Sequence, residues 1–347
     1  MKKFIILGLV LLVAAAGLIY SQLKPKALHN EKMVLGYTTS EESSFQSLKK
    51  YHDHLSAIAM DTYAFDINGN LSGEAPGNQL AYAKQHDIDT YAVISNFGET
   101  DFDPDLAHAV MADKDAKSNF IAQLVQTAAE NDFTGINIDF EAVYPEDRDL
   151  YSDLIKDTAE ALQNDDIQTM VSVPAKATDD AANDWSWPYD YEKIGEYADY
   201  VQVMTYDEHG SWSEPGSSAS MDWVENILTF ATETIDPDKV IMGAPAYGYD
   251  WNLSDPEQNS MIEWDNIQST IDSSGIEPLY DEETASSHFD YTEDDQVHTV
   301  WFEDERSLEE KSSLTNRYDI AGVSVYALGH ESEAYWEAIE AGLKSVR

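Results

Sequence analysis

Phe133-Thr-Gly-Ile-Asn-Ile-Asp-Phe-Glu141 is the stretch that constrains the fold most strongly. Its apolar residues alternate strictly with three polar ones: Asn137, Asp139 and Glu141. In a strand this alternation places the two sets on opposite faces. In a barrel strand the apolar set packs under helices and the polar set faces the barrel axis. A buried polar row is costly unless it is paired or used, so we predict that this strand ends in a functional site.

Seven other short apolar runs occur along the chain, separated by amphipathic stretches such as 147–163 and 221–235. Eight β units alternating with helices over about 310 residues predict an α/β fold, specifically a (β/α)8 TIM barrel. The alternative is an open doubly wound sheet, which usually carries a glycine-rich phosphate loop after its first strand. Here Thr38-Thr-Ser-Glu41 follows the first strand, without glycine, and this favours the barrel. The predicted strands are 33–37, 57–65, 89–95, 135–140, 168–173, 200–205, 240–244 and 321–327.

The composition argues against several classes of protein. The chain has 347 residues, no cysteine and a formal net charge of −46. Without cysteine, disulfides, thiolate metal sites and cysteine nucleophiles are excluded. Nucleic-acid binding is disfavoured, because contacts with phosphate need lysine and arginine. The acidic residues are spread along the whole chain, which is typical of a solvated acidic surface in a salt-exposed protein.

Residues 1–32 resemble an export segment followed by a linker. Lys2 and Lys3 precede an unbroken apolar run of 17 residues, 4–20. This order is typical of a secretory signal, and the length of the run is also near the lower limit for a membrane span. We therefore expect either a cleaved signal peptide or an uncleaved anchor that tethers the protein through residues 4–20. Both place the rest of the chain outside the cytoplasm, either secreted or on the outer face of the cell membrane.

The remaining residues, 33–347, are predicted to form the barrel, with one interruption at 252–304. The later part of this interruption has short β-type runs separated by acidic turns, which indicate antiparallel strands. The segment is too long for an ordinary connection between a strand and a helix. We predict a small α+β insertion between strand 7 and helix 7.

The acids of the fourth strand indicate the chemistry of the site. Asp139 and Glu141 are two residues apart, so their Cα atoms are separated by roughly 6.5–7 Å along one strand. Two acids on the same side of a glycosidic bond cannot easily act on it from opposite faces. The charge of Asp139 can instead raise the pKa of Glu141, which then holds a proton as a general acid. An N-acetyl group of the substrate can supply the nucleophile.

Three segments, in this order along the chain, resemble signatures of glycoside hydrolase family 18, the chitinase-like family. Thr134-Gly-Ile-Asn-Ile-Asp-Phe-Glu141 is similar to the DGxDxDxE motif of the fourth strand. Met204-Thr-Tyr-Asp207 is similar to the MxYD motif of the sixth, and Gly243-Ala-Pro-Ala-Tyr-Gly-Tyr-Asp-Trp251 to the GxPxYGYDW segment of the seventh. Within the family, the GxNIDFE form resembles bacterial spore and cell-wall N-acetylglucosaminidases that act on peptidoglycan.

The resemblance implies a role for each matching residue. Glu141 would be the general acid and base that protonates the leaving oxygen. Asp139 would hold the acetamido group of the sugar and stabilise the oxazolinium-like intermediate. Tyr206 would donate a hydrogen bond to the acetamido carbonyl. Met204 and Asp207 would line the sugar site.

The sequence departs from the family pattern at three positions. Thr134 and Asn137 stand where the motif has aspartates, and Asn137 is expected to hydrogen-bond Asp139 in the sugar site. Tyr326 stands near the end of the eighth strand, where many members have a tryptophan as the floor of the central subsite. Tyrosine still offers an apolar face for a sugar ring.

Three further residues are expected at the cleft. Tyr37 and Asn96 follow or end the first and third strands, and Trp251 is a candidate platform on which a sugar ring stacks. No histidine cluster has the spacing of metal ligands, and the proposed chemistry needs neither a metal nor another cofactor. The expected partner is a polysaccharide that contains N-acetylglucosamine.

Together these observations predict an extracytoplasmic glycosidase that cleaves β-1,4 bonds after N-acetylglucosamine. Peptidoglycan is slightly favoured over chitin as the substrate. The alternative is a non-catalytic lectin on the same barrel that binds chitin or peptidoglycan, although such relatives usually lack the acid that Glu141 provides. A third alternative is an unrelated barrel enzyme.

Overall fold

The computed structural model describes residues 32–345. Fourteen strands lie within this range. They are β1 Met33–Thr38, β2 Ala57–Phe65, β3 Leu71–Gly73, β4 Asp89–Ser95, β5 Gly135–Asp139, β6 Gln168–Pro174, β7 Tyr200–Met204, β8 Val240–Pro245, β9 Tyr247–Asn252, β10 Ser260–Glu263, β11 Leu279–Asp281, β12 Ser286–Glu293, β13 Gln296–Phe302 and β14 Gly322–Tyr326.

Eleven α-helices lie between or after these strands in the described range. They are α1 Glu42–Tyr51, α2 Gly77–Gln85, α3 Pro104–Ala112, α4 Lys114–Asn131, α5 Arg148–Gln163, α6 Tyr191–Tyr197, α7 Met221–Thr234, α8 Trp264–Ser274, α9 Glu305–Ser312, α10 Leu314–Arg317 and α11 Glu333–Lys344.

Eight strands form a closed parallel barrel in the order β1-β14-β8-β7-β6-β5-β4-β2, and pairing of β1 with β2 closes it. The predicted (β/α)8 barrel is therefore confirmed. The observed strands match the predicted ones to within one residue at each end. The short strand β3 extends the sheet by pairing antiparallel with the end of β2.

The alternation in β5 has the predicted consequence for packing. Ile136, Ile138 and Phe140 are fully buried in the layer between the barrel and its helices. The opposite face points into the barrel, whose lower interior is filled by a separate apolar cluster that includes Leu35 and Tyr91. The polar residues of β5 are thus supported from below by a packed core and lie toward the carboxyl ends of the strands, where barrel enzymes place their active sites.

A second sheet of five antiparallel strands, in the order β10-β9-β13-β12-β11, is inserted between β8 and α9. Helix α8 covers one face of it, where Trp264 and Ile267 join the core with Phe289 and Phe302. This is the predicted α+β insertion. Its first strand begins at Tyr247, earlier than the expected start at 252, because the chain leaves the barrel immediately after Pro245 and continues as β9.

The export segment predicted at 1–32 lies almost entirely outside the described residues. Within residues 32–345, no helix combines the length and the hydrophobicity needed to cross a bilayer.

Candidate active site

Asp139 and Glu141 lie at the carboxyl end of β5. Asp139 is the last residue of the strand, and its Cα partner on the neighbouring strand β4 is Ser95. Glu141 follows beyond the strand and continues its alternation, because the fully buried Phe140 between the two acids packs on the outer side. Both carboxyl groups therefore belong to the inner face, at the mouth of the barrel.

The backbone of Glu141 is fixed from both sides. The side-chain amide of Asn96 accepts a hydrogen bond from Glu141 N (2.8 Å) and donates one to Glu141 O (2.7 Å). The hydroxyl of Tyr189 donates to the preceding carbonyl, Phe140 O, at 2.9 Å. The next residue, Ala142, has a φ of 53°, a left-handed conformation that turns the chain away from the strand. The position of Glu141 is thus determined by neighbouring loops as well as by β5.

Burial and negative charge act together on these acids. Burial, followed by the charges of Asp139 and Asp207, raises the pKa of Glu141 well above its usual value. Burial, followed by the charge of Asp61, raises the pKa of Asp139, and the Ser172 hydroxyl partly offsets this rise. The charge of Asp139 therefore favours the protonated form of Glu141. This is the state that a general acid requires.

Asp61 is a third acid near the site, and the sequence analysis did not identify it. It lies on β2, and its interior-facing neighbours on that strand are Ala57 and Ala59. The register between β2 and β4 shifts just after Asp61, at a β-bulge. Burial raises the pKa of Asp61, and its charge acts on Asp139 and Glu141. In the sequence, the only indication of Asp61 was a single acidic residue within a mainly apolar strand.

Tyr206 follows β7 and faces the same space. Its ring lies against Gly243 on β8, where an added Cβ would come within 2.7 Å of the ring. Glycine is therefore required for this close approach. Burial raises the pKa of the Tyr206 hydroxyl well above its usual value, and the charge of Asp139 acts in the same direction. The phenol consequently stays protonated and remains a donor. Met204, at the end of β7, is partly buried on the same face.

Asp207 is held by two tyrosines of the insertion. The hydroxyls of Tyr247 and Tyr249 both donate to Asp207 Oδ1, at 2.7 and 2.9 Å. Burial raises the pKa of Asp207, and the two hydrogen bonds lower it.

Tyr326, at the end of β14, completes an aromatic surface. Its ring centroid is 5.7 Å from that of Tyr37 and 6.5 Å from that of Tyr206, whose ring plane is inclined to it by 30°. Tyr326 is only partly buried and packs against the cluster of Tyr247, Tyr249 and Trp251. Its role as the floor of a sugar subsite stays a prediction.

Four residues predicted to bind substrate are buried. Tyr37 and Asn137 are 3% and 0% exposed, and the Tyr37 hydroxyl donates to Asn137 Oδ1 at 2.7 Å. The Asn137 amide donates to Ser172 Oγ at 3.0 Å, so it bonds Tyr37 and Ser172 where a bond to Asp139 was expected. Asn96 is fully buried and bonds the backbone of Glu141. Trp251 is 1% exposed, so its ring offers no free face to a sugar.

One group in residues 32–345 has side chains close enough together to hold a metal ion: Glu263, Asp265 and His330. Glu263 and Asp265 lie at the start of α8, and His330 lies in the segment after β14. The two ring nitrogens of His330 already face carboxylates, at 3.2 Å from Glu263 and 3.5 Å from Asp265. The group is therefore explained by direct contacts between His330 and the two acids.

Comparison with known proteins agrees with this geometry. The model of the family described as glycosyl hydrolases family 18 matches residues 33–331. A Bacillus subtilis protein described as uncharacterized glycosylase YvbX is 49% identical over 347 residues, which cover 99% of this chain and 100% of the relative.

Two solved structures extend the comparison. A chitinase from Chromobacterium violaceum has a TM-score of 0.87 and 36% identity, covering 91% of this chain and 100% of the other. The spore cortex-lytic enzyme SleL of Bacillus megaterium has a TM-score of 0.84 and 25% identity, covering 91% of this chain and 75% of the other. Since the family model matches all eight barrel strands and the Bacillus subtilis relative is 49% identical over 99% of this chain, the chain belongs to glycosyl hydrolase family 18 and is a glycoside hydrolase.

Proposed function

We propose that this protein cleaves β-1,4 bonds after N-acetylglucosamine, in peptidoglycan or chitin-type glycans, with retention of configuration and with the substrate's own acetamido group as nucleophile. The observation that carries this proposal is a buried oxygen. Asp139 Oδ1 is buried and has no hydrogen-bond partner within residues 32–345. An unsatisfied buried carboxylate oxygen is costly, and the N–H of a bound acetamido group would satisfy it.

The first step transfers the proton of Glu141. The carboxylic acid donates its proton to the glycosidic oxygen while the bond from that oxygen to the anomeric carbon breaks. The acetamido carbonyl oxygen attacks the anomeric carbon and forms a bicyclic oxazolinium ion. The raised pKa of Glu141 supplies the protonated acid for this step.

Asp139 and Tyr206 would orient the nucleophile. The Asp139 carboxylate accepts the acetamido N–H and stabilises the positive charge that develops on the ring. The Tyr206 hydroxyl donates to the acetamido oxygen and places it below the anomeric carbon. The Glu141 carboxylate then removes a proton from water, and the water attacks the anomeric carbon and opens the oxazolinium ring. Two inversions give net retention.

The remaining residues would bind the sugar. Tyr326 offers the face of its ring as the floor of the central subsite. Met204 and Asp207 border the same space. A solvated acidic surface and the charged, apolar N-terminal segment both support action outside the cytoplasm.

Peptidoglycan and chitin are the two candidate substrates. The GxNIDFE form of the motif and the similarity to SleL, a spore cortex-lytic enzyme, support peptidoglycan. The similarity to a chitinase of higher identity supports chitin. Incubation of the purified protein with both polymers, with mass spectrometry of the products, tests this choice. Peptidoglycan fragments that end in N-acetylglucosamine support the proposal, whereas fragments that end in N-acetylmuramic acid contradict it.

The role of Glu141 is tested by Glu141→Gln on a chromogenic N-acetylglucosamine oligomer. We expect a loss of about 10²–10⁴-fold in kcat, the usual contribution of general acid catalysis. Glu146→Gln, at an exposed position in the same loop, is the matched control and should retain activity. If wild type and Glu141→Gln both bind the oligomer and neither cleaves it, the protein is a lectin.

A further inference from the structure

The insertion sheet contacts the active site through Asp207. Tyr247 and Tyr249 both lie on β9, the first strand of the insertion, and both donate to Asp207 Oδ1. Asp207 itself is in the loop after β7, with a φ of 68°. Aspartate adopts this left-handed conformation more readily than most residues. The backbone turn therefore presents the Asp207 carboxylate, and the two tyrosine hydroxyls hold it.

Tyr249 is held rigidly by its own sheet. It pairs with Met261 on β10 and with Trp301 on β13, so it lies on a strand that has a partner on each side. Its ring is 5.7 Å from Trp251 and 5.8 Å from Trp212, and the side chain is only 5% exposed. The hydroxyl therefore has a fixed position, determined by the insertion.

The same strand also fixes the loop that carries Asp207. Trp251 Nε1 donates to Gly210 O at 3.1 Å and to Ser213 O at 3.0 Å. These two carbonyls belong to a tight turn in which Ser213 N donates to Gly210 O. Tyr247 and Tyr249 thus contact the loop after β7 at Asp207, and Trp251 contacts the same loop at this turn.

The hydrogen bonds determine which oxygen of Asp207 is available. Both tyrosines bond Oδ1, so Oδ2 is the oxygen left to accept a hydrogen bond from a ligand. The charge of Asp207 also acts on Glu141. The orientation of one carboxylate therefore bears on both sugar binding and proton transfer.

We propose that Tyr249, together with Tyr247, is a positioning residue for hydrolysis, through which the insertion orients Asp207 toward the substrate beside Glu141. This inference rests on the proposed function. It makes the insertion part of the catalytic apparatus, in addition to any role as a wall of the cleft.

The test compares Tyr249→Phe with Tyr291→Phe. Tyr291 is a matched control because its hydroxyl also donates to an aspartate of β9, Asp250, at 2.5 Å, on the face of the sheet that points away from the barrel site. Loss of one hydrogen bond to a charged group lowers kcat/KM by about 10-fold to 100-fold. We expect a loss in this range for Tyr249→Phe and wild-type kinetics for Tyr291→Phe, with both melting temperatures recorded.

Two readouts separate positioning from a purely structural role. Loss of a donor raises the pKa of Asp207, so protonation of Asp207 should add to that of Asp139 in the acidic limb of the pH profile of kcat/KM and move this limb to higher pH. In an Asp207→Asn background, the additional effect of Tyr249→Phe should nearly disappear, because the charged acceptor is already gone. The titratable groups that face Asp207 are Glu141, Tyr206, Tyr247, Tyr249 and Tyr326.

Each outcome decides a different question. If wild type cleaves the oligomer and Tyr249→Phe behaves as Tyr291→Phe, the inference is wrong and the proposed function stands. If wild type cleaves neither glycan, the proposed function itself fails. Should Tyr249→Phe not fold, Tyr247→Phe removes the other donor to the same oxygen and is judged by the same readouts.

Discussion

Two groups of buried acids in this protein have opposite surroundings. Glu303 is 1% exposed and forms an ion pair with Lys311, which is 6% exposed, while Ser286 donates to the other carboxylate oxygen at 3.0 Å. The charges that act on Asp139 and Glu141, in contrast, are those of other acids. A buried acid beside a cation is compensated, whereas buried acids on which only other acids act have raised pKa values.

The largest expected effect is a loss of stability when Glu303 loses its cation. Lys311→Ala leaves Glu303 buried without its cation, which costs about 3–5 kcal/mol of unfolding free energy. Denaturant titration measures this loss. The double variant Lys311→Met with Glu303→Gln removes both charges and should recover most of the stability. A single variant as stable as wild type would show that Glu303 is not compensated by Lys311.

The variant Asp139→Asn removes one charge from the pair of acids, Asp139 and Glu141, that has no compensating cation in the described part of the chain. We expect kcat to fall by about 10²–10³-fold, because a group that stabilises developing charge is removed. With the charge of Asp139 gone, the pKa of Glu141 falls, so the basic limb of the pH profile moves to lower pH. Stopped assays across a pH series measure both effects. Asp153→Asn, at an exposed position on α5, is the control and should leave the profile unchanged.

Asn96→Ala tests whether the backbone of Glu141 must be held. The variant loses both hydrogen bonds to Glu141, and we expect a fall of about 10-fold in kcat, within the 1–3 kcal/mol range of such bonds. KM should change little, because Asn96 is buried and does not face the sugar. Steady-state kinetics give the two values separately. A change confined to KM contradicts the positioning role.

The variant Asp61→Asn tests whether a third acid contributes to the raised pKa values of Asp139 and Glu141. The charge of Asp61 raises the pKa of both Asp139 and Glu141, so its removal should move both limbs of the pH profile to lower pH. The activity at the optimum should change less than in Asp139→Asn. A profile that superposes on that of wild type would exclude Asp61 from the electrostatics of the site.

The smallest effect concerns the exposed acids, which salt screens more effectively than buried ones. With a net charge of −46, self-repulsion destabilises the compact state at low ionic strength. The melting temperature should therefore rise between low and molar salt, as followed by circular dichroism. A flat response argues against a salt-adapted surface.

The strands were predictable because their signal is local. In β5, for example, the alternation of Ile136 and Ile138 with Asn137 and Asp139 needs no knowledge of the rest of the chain. The start of the insertion was misplaced because β9 begins only two residues after the apolar strand β8 ends, with no polar turn between them. Composition alone does not distinguish the end of a barrel strand from the start of an insertion strand.

The site was predictable where its residues share a strand or a motif, as Asp139 and Glu141 do. The roles of Asn96 and Tyr37 were predicted less well. Both were expected to face the sugar, but the structure places them in hydrogen bonds with Glu141 and Asn137, residues 45 and 100 positions away. A residue at a strand end can point into the cleft or beneath it, and only the packing of neighbouring strands decides between the two.

Periodicity was enough to predict the barrel, and two acids two residues apart were enough to select Glu141 as the proposed proton donor. The tertiary structure alone decided which groups surround that donor. Asp61 approaches it from another strand of the barrel, and Tyr249 reaches Asp207 across 42 residues. Such contacts depend on the order and register of strands, which bring together residues whose separation along the chain carries no information about their distance in space.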